Sequence, residues 1–221
     1  KKAINKNTAA IIAEPIQGEG GIKTLPDYCL KGLREICDEH GILLVFDCVQ
    51  TSFRTGTLLG FENSGISADL CCVAKGFGNG FPVGAILLTN EVAKVMKHGS
   101  HGSTFGNNLL ACAAVNAVLD IVLAKGFFEE VKTKGEYFDK ELKKLKDEFP
   151  KIIEEVRGIN FIKGLKLKVD NNDFMSKLMK HKLLVVKASE NCIRLFPSLL
   201  STTDELDMGI KIIKKTCEEM N

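Results

Sequence analysis

Residues 70–76, LCCVAKG, decide the fold, because a short apolar run leads directly into a lysine and then into glycine. Two earlier apolar runs have the same design: residues 9–13 are followed by Glu14, and residues 42–46 by Asp47. Short apolar runs of this kind are typical of strands that are buried on both faces of a sheet. We therefore predict three neighbouring buried strands, each ending at a charged residue.

The spacing of the other elements predicts an α/β fold. An amphipathic helix over residues 26–41 separates the first two strands, and residues 83–88 form a fourth strand, which favours a mixed, mostly parallel sheet with helices on both faces. Two long helices, one from about residue 108 to about residue 124 and a lysine-rich one from residue 127 to about residue 148, are followed by an α+β module. We predict residues 1–115 as part of a large domain and residues 116–221 as a small C-terminal domain. The strands of this module are expected at residues 159–168, 183–187 and 192–196.

Composition excludes several classes of protein. The 30 basic and 28 acidic residues are interspersed and leave a net charge of +2, so we expect no nucleic-acid partner. No apolar run reaches the roughly 18 residues of a membrane span, and no signal peptide is evident, so we expect no membrane partner. The eight cysteines include no CxxC pair, which favours free thiols in a reducing compartment such as the cytoplasm. The four histidines lack metal-ligand spacing.

The three charged strand ends are the candidate chemical groups, because ligands of open α/β sheets bind beyond the carboxyl ends of the strands. Any one of them alone is better explained as a capping or solvent-facing group. All three followed by glycine-bearing loops favour a site. Lys75, leaving a buried strand, is expected to be a partly desolvated amine nucleophile that attacks a carbonyl-bearing cofactor. Asp47 could keep a pyridine nitrogen of the same cofactor protonated.

Six segments resemble the class-III aminotransferases, the group that includes acetylornithine, ornithine and 4-aminobutyrate aminotransferases. The resemblance covers nearly the whole chain in family order and corresponds to roughly the C-terminal half of a family member. It implies a partial large domain of a fold-type I transferase dependent on pyridoxal 5'-phosphate, plus the small domain. The segments are residues 13–21 (AEPIQGEGG), 46–51 (FDCVQT), 74–76 (AKG), 80–85 (GFPVGA), 101–106 (HGSTFG) and 194–199 (RLFPSL).

The resemblance implies a cofactor-binding role for five residues. Lys75 would bind the cofactor aldehyde covalently and then move the proton at the substrate Cα. Asp47 would pair with the pyridinium nitrogen, Val49 would pack on the ring, and Gln50 would lie near the phenolic oxygen. Thr104 would bind the cofactor phosphate of the partner subunit, which implies a homodimer.

The resemblance also implies the substrates. Arg194 would hold a substrate carboxylate by a bidentate pair, Glu19 would pair with Arg194 when that pocket is empty, and Ser103 would lie close to the substrate. The implied reaction, in arginine biosynthesis, transfers the terminal amine of N-acetylornithine or ornithine to 2-oxoglutarate. The small-molecule partners are therefore an amino acid and a 2-oxo acid, and the acetylornithine type is the most similar.

The chain departs from the family pattern at three places. Cys48 replaces an acidic residue, residues 51–56 are one residue shorter than the usual Thr-Gly-x-Gly-Arg-Thr-Gly loop, and residues 107–109 replace Gly-Asn-Pro. The segments that cup the phosphate and stack on the outer ring face are also absent from these 221 residues. We therefore expect the chain alone to bind pyridoxal phosphate weakly.

Two alternative functions stay open at this point. A truncated relative with altered loops could be an inactive remnant or a non-catalytic subunit. The loop from Thr51 to Arg54 also resembles that of glutamate-semialdehyde aminomutases, which need no second substrate. The need for a separate amino acceptor distinguishes an aminotransferase from such an aminomutase.

Overall fold

The computed structural model describes all residues 1–221 and forms two compact units. Unit 1 contains Lys1–Pro15, Leu25–Phe53 and Thr57–Lys125, and unit 2 contains Ile16–Thr24, Arg54–Gly56 and Gly126–Asn221. The strands are β1 (Ala10–Ala13), β2 (Ile16–Gln17), β3 (Lys23–Thr24), β4 (Leu43–Asp47), β5 (Leu70–Val73), β6 (Ala85–Leu88), β7 (Ile153–Ile159), β8 (Ile162–Leu167), β9 (Val186–Ala188) and β10 (Cys192–Leu195). The helices are α1 (Asp27–His40), α2 (Asn90–Ala93), α3 (Leu109–Val122), α4 (Phe127–Glu148), α5 (Asn171–Lys180) and α6 (Thr203–Glu218).

Unit 1 is built on a four-stranded sheet in the order β1-β4-β5-β6. The first three strands are parallel and β6 is antiparallel to β5. Ala13 of β1 lies opposite Phe46 of β4, and Asp47 lies opposite Cys72 of β5. The carboxyl ends of three adjacent strands therefore meet at one edge of the sheet. This arrangement confirms the predicted mixed sheet.

Helix α1 covers one face of this sheet. It begins after Pro26, which supplies the extended conformation that precedes a first turn, and ends at Gly41 in the left-handed region with φ 64°. Its buried Leu30 and Cys37 pack with Leu44 and Phe46 of β4. A fully buried apolar side chain of this size contributes roughly 1.5–3 kcal/mol. The apolar face of α1 therefore covers the face of the sheet that carries Leu44 and Phe46.

The opposite face of the same sheet is open. Strand register aligns Ile12, Val45, Leu70 and Leu88 in one row, and Ile12 is 72% exposed. Ile86 is opposite Cys72 on the same face and is 61% exposed. Since large apolar side chains at these positions meet solvent, nothing within the 221 residues covers this face, and the predicted helices on both faces are not found in this part of the large domain.

Unit 2 contains an antiparallel sheet in the order β7-β8-β10-β9 and the helices α4, α5 and α6. The hairpin of β2 and β3 belongs to the same unit, and its Ile22 is fully buried with Ile162 and Cys192. Helix α6 starts with a capping box in which Thr202 and Glu205 exchange hydrogen bonds. The main core contains aromatic and aliphatic side chains from the helices and the sheet, among them the fully buried Phe161. The result is the predicted α+β module.

The structure differs from the predicted organisation in two respects. The units divide between Lys125 and Gly126, so α3 lies in unit 1, and residues 16–24 and 54–56 belong to unit 2 although they lie early in the chain. Strand β7 was not predicted. It is an edge strand with several charged residues, so it lacks the apolar pattern by which buried strands are recognised. Helix α4 covers the predicted residues.

The cysteines and the helices bear on two predictions made from composition, one about disulfide bonds and one about membrane spans. All eight cysteines are free, and five of them are buried. No single helix is both long and apolar enough to cross a membrane, although α3 and α4 taken together pass that test of length and composition.

Candidate functional site

The candidate acid–base residues lie at the carboxyl edge of the unit 1 sheet. Asp47 is the last residue of β4, and Lys75 begins a 3-10 turn two residues after the end of the neighbouring β5. The two strands are parallel and adjacent, so both residues lie at the same edge of the sheet, where the strands have their carboxyl ends. The two side chains form no direct ion pair with each other. The structure therefore brings the predicted pair to one sheet edge.

Lys75 has an unusual backbone conformation. Its φ is 52°, in the left-handed region that non-glycine residues adopt rarely and at a cost of roughly 1–3 kcal/mol. The 3-10 turn is closed by the Phe77 N–H donating to the Ala74 carbonyl and the Gly78 N–H donating to the Lys75 carbonyl. Lys75 therefore belongs to a tight turn and not to the extended strand.

The expected desolvation of Lys75 is not found, because the residue is exposed. The prediction assumed that a side chain leaving a buried strand would stay covered. Strand β5 ends at Val73, however, and the following turn carries Lys75 beyond the sheet. Within these residues nothing covers the amine.

Asp47 is held by its own loop. The Val49 N–H donates a hydrogen bond of 2.9 Å to Asp47 Oδ1, and the Cys48 N–H continues the strand ladder to the Cys72 carbonyl at 2.9 Å. Asp47, Val49 and Gln50 are all half-buried. The loop therefore fixes the direction of the carboxylate before any ligand binds.

Cys48, which stands where the family has an acidic residue, is fully buried beside Cys71. Hydrogen bonding from the Cys71 thiol lowers the pKa of Cys48, against the effect of burial. The same pairing raises the pKa of Cys71, and burial raises it further. Cys48 therefore belongs to the buried core of unit 1 and is hydrogen-bonded there to Cys71.

The predicted hydroxyl residues Ser103 and Thr104 lie on an exposed segment of unit 1. Ser103 lines a cleft of about 400 Å³ together with Phe77, Pro82 and Phe105. Thr104 does not line this cleft, and the neighbouring Phe105 is 83% exposed. The structure thus leaves Thr104 open to a ligand or a second chain.

In unit 2, Arg194 and Glu19 form an ion pair. Arg194 lies on β10, and Glu19 lies in the loop between β2 and β3. The Arg194 side chain is only 10% exposed whereas that of Glu19 is 70% exposed. The guanidinium is therefore held in place, while its carboxylate partner lies on the solvent side, where another carboxylate could replace it.

The loop that carries Glu19 is attached to the rest of unit 2 by backbone and side-chain bonds. The Ser189 N–H donates to the Glu19 carbonyl at 2.9 Å. Arg157 donates to the Gly21 carbonyl at 3.1 Å and to the Glu190 carboxylate at 2.8 Å. Hydrogen bonds from Lys23 and Arg157 lower the pKa of Glu190 to about 2. These bonds fix the position from which Glu19 reaches Arg194.

Two residues near the ion pair were not predicted as functional. Arg157 supports the Glu19 loop, and Arg54 lies against the Phe196 ring, next along the chain from the end of β10. The sequence offers only the position of Arg54 in the shortened loop as a signal. Its contacts join residues more than a hundred positions apart, which spacing cannot reveal.

Comparison with known proteins identifies the family of this chain. The family model for Aminotransferase class-III matches residues 1–217. Acetylornithine aminotransferase of Mesorhizobium japonicum is 46% identical over 215 residues, which are 97% of this chain and 54% of that protein. The corresponding enzyme of Agrobacterium fabrum is 46% identical over 211 residues, 95% of this chain and 53% of that protein. The chain thus spans about half the length of the curated relatives it matches.

Solved structures show the same relationship. Ornithine aminotransferase from Plasmodium yoelii superposes with a TM-score of 0.90 at 33% identity, covering 96% of this chain and 57% of that one. Acetylornithine aminotransferase from Elizabethkingia anophelis superposes with a TM-score of 0.88 at 34% identity, covering 95% and 56%. These likenesses confirm the predicted fold class. With a family model matched along almost its whole length, this chain belongs to the class-III aminotransferases.

Proposed function

We propose that this chain forms the lysine-bearing part of an aminotransferase that uses pyridoxal 5'-phosphate. Its amino donor would be N-acetylornithine or ornithine and its acceptor 2-oxoglutarate. The observation that carries the proposal is the placement of Asp47 and Lys75 at the ends of adjacent parallel strands in a class-III chain. The names of the relatives favour a terminal amine as the reacting group.

The chemistry of the residues at the sheet edge fits this cofactor. Lys75 offers a primary amine for an aldehyde, and Asp47 offers a carboxylate for a pyridinium nitrogen. Thr104 offers a hydroxyl group for a phosphate, and Ser103 offers one close to the substrate. Val49 and Gln50 complete the set that would contact the ring. The donor set is sufficient for an aldehyde and a pyridine, whereas its phosphate contacts are few, which supports the prediction of weak binding by this chain alone.

Each residue has a distinct task in the proposed reaction. When bound, pyridoxal phosphate supplies an electron sink for the negative charge that develops at the substrate Cα. Lys75 would take the proton from the substrate Cα and deliver it to the cofactor carbon that carries the amino nitrogen. Asp47, fixed by the Val49 N–H, stabilises positive charge at the ring nitrogen.

The Arg194–Glu19 pair has the task of selecting a carboxylate in unit 2. A planar guanidinium binds a carboxylate by two parallel hydrogen bonds, and an incoming substrate carboxylate would displace the exposed Glu19. Arg194 would then recognise 2-oxoglutarate or glutamate. In the absence of such a ligand, Glu19 keeps the charge of Arg194 compensated.

A homodimer is part of the proposal. Thr104 would contact the cofactor of a second copy, and the exposure of Thr104 and Phe105 supports this role. The cytoplasm stays a prediction that rests on cysteine usage.

Reductive trapping tests the cofactor site. The 221-residue chain is incubated with millimolar pyridoxal phosphate and reduced with borohydride, and the modified lysines are mapped by mass spectrometry. We expect Lys75 to be modified ahead of Lys97, an exposed lysine of the same unit, since only Lys75 has a fixed acid at its sheet edge. Asp47→Asn should reduce this preference. Equal modification of the exposed lysines would contradict the proposed site.

The alternative functions are tested by the same material. A remnant or non-catalytic subunit predicts no preference for Lys75 and no carboxylate binding at Arg194. An aminomutase predicts turnover without 2-oxoglutarate once the chain forms part of a complete enzyme. The relatives reported above carry aminotransferase names, which is why transamination is proposed here.

A further inference from the structure

The surroundings of Phe196 in unit 2 hold two guanidinium groups. The Arg54 Cζ lies 5.1 Å from the centre of the Phe196 ring, and the Arg194 Cζ lies 5.9 Å from the same centre. Both distances are within the range of cation–π attraction. The ring therefore connects the candidate carboxylate-binding arginine to a second arginine that has no assigned role.

Hydrogen bonds to backbone carbonyls hold Arg54 beside that ring. Its Nη1 donates to the Pro197 carbonyl at 2.9 Å and to the Phe161 carbonyl at 3.2 Å. In return, the Phe161 N–H donates to the Arg54 carbonyl at 3.1 Å. Asn160 Nδ2 donates to the carbonyl of Thr55 at 2.8 Å. These bonds fix the segment that follows β10 relative to Arg54.

Arg54 makes no ion pair with a carboxylate. Burial lowers the pKa of its guanidinium, and a half-buried cation compensated only by carbonyls and an aromatic ring is costly to maintain. The preceding Phe53 is in the left-handed region with φ 68°, a strained conformation for an aromatic residue. Two consecutive residues therefore have unfavourable features, the backbone strain of Phe53 and the buried charge of Arg54. Strain of this kind persists where a residue has a specific task, which we infer for Arg54.

We propose that Arg54 is a positioning residue for Arg194: it fixes the Phe196 ring and the Pro197 carbonyl, and so orients the Arg194 guanidinium toward a substrate carboxylate. Lysine cannot substitute, because it lacks both the planar stacking surface and the fork of donors. The proposal concerns the orientation of Arg194, and its carboxylate target rests on the proposed function.

Nitrogen-15 NMR of the arginine side chains in the ligand-free 221-residue chain tests the orientation directly. With Arg194 assigned by Arg194→Lys, we expect Arg54→Lys to shift the Arg194 guanidinium signals and to speed the rotation of that group. Arg34→Lys is the matched control, since Arg34 in unit 1 forms ion pairs with Asp38 and Asp69. It should lower stability without changing the Arg194 signals. Unchanged Arg194 signals in Arg54→Lys would overturn the positioning role.

Titration with 2-oxoglutarate, followed on the same signals, separates this inference from the proposed function. We expect Arg54→Lys to weaken binding about three- to tenfold, the range of a lost cation–π contact, and Arg194→Lys to weaken it further. If Arg194→Lys leaves 2-oxoglutarate binding unchanged, the proposed carboxylate site fails, while the ligand-free signals still decide the positioning role. Equal binding by wild type and Arg54→Lys overturns the role of Arg54 in recognition.

Discussion

Unit 2 and unit 1 differ in how completely these 221 residues build them. The main core of unit 2 contains seventeen buried residues, whereas that of unit 1 contains nine and leaves one sheet face open. The candidate residues follow the same division. In unit 2 the Arg194–Glu19 pair is already formed, whereas in unit 1 Lys75 is exposed. The Arg194–Glu19 ion pair is therefore already assembled in this chain, while the environment of the Lys75 amine is not.

This difference suggests where the two units draw their stability. Buried apolar area is the main favourable term in folding. A unit with a closed core can keep its polar groups in place, whereas a unit with an open face exposes the strands that carry its chemistry. Substitutions in each unit test this difference in core closure.

The largest effect is expected from the core of unit 2. Phe161 is fully buried, and Phe161→Ala should cost about 3–5 kcal/mol because it leaves a cavity. Ile86→Ser, at a side chain that is 61% exposed on the open face of unit 1, should change stability by less than about 0.5 kcal/mol. Hydrogen exchange followed by mass spectrometry, read separately for peptides of each unit, measures both. Truncating a buried aliphatic side chain costs about 2 kcal/mol or more. If Ile86→Ser lowers the free energy of unfolding by that much, the open face is covered in solution.

A buried charge gives the next effect. Lys163 of β8 is 2% exposed, pairs with Asp139 of α4 and donates to the Gly158 carbonyl at 2.9 Å. Asp139→Ala should cost about 3 kcal/mol because it leaves the ammonium buried without its partner. Lys163→Met in the same background should restore most of that loss. Urea unfolding of the single and double variants checks this, and additive losses would contradict it.

The smallest effect concerns pH and unit 1. Burial raises the pKa of Asp69, but hydrogen bonds from the Leu44 N–H at 2.7 Å and from Arg34 at 2.8 Å bring it below its ordinary value. A depressed carboxyl pKa contributes stability that is present above the unfolded value, about 3.9, and is lost as pH falls through the folded value.

Asp69→Asn should therefore destabilise unit 1 by about 1–2 kcal/mol at neutral pH, and the difference from wild type should shrink as pH falls below about 4. Unfolding curves collected across that range measure it. Glu35→Gln, at an exposed carboxylate of α1 outside the ion pairs, is the control and should show no such trend. A constant difference at every pH would argue against the Asp69 interpretation.

The sequence predicted the parts of the molecule that depend on local pattern. The parallel strands of unit 1 were evident because apolar runs ended at Asp47 and Lys75, and α4 was evident from its periodicity. Strand β7 was missed because an edge strand with Glu154, Glu155 and Arg157 lacks an apolar pattern. The hairpin of β2 and β3 was missed because each strand has only two residues.

Other features depend on contacts that no local pattern records. The membership of residues 16–24 and 54–56 in unit 2 follows from packing against residues far along the chain. The position of Arg54 near Phe196 has the same origin. The exposure of Lys75 could not be deduced from its strand, because a left-handed backbone at the strand end redirects the side chain.

That left-handed backbone at Lys75 also sets thermodynamic stability against the presence of an amine. Glycine would occupy φ 52° without penalty, and asparagine would tolerate it far better than lysine. A chain with either residue at this position would relieve the backbone strain but would lose the primary amine on which the proposed chemistry depends.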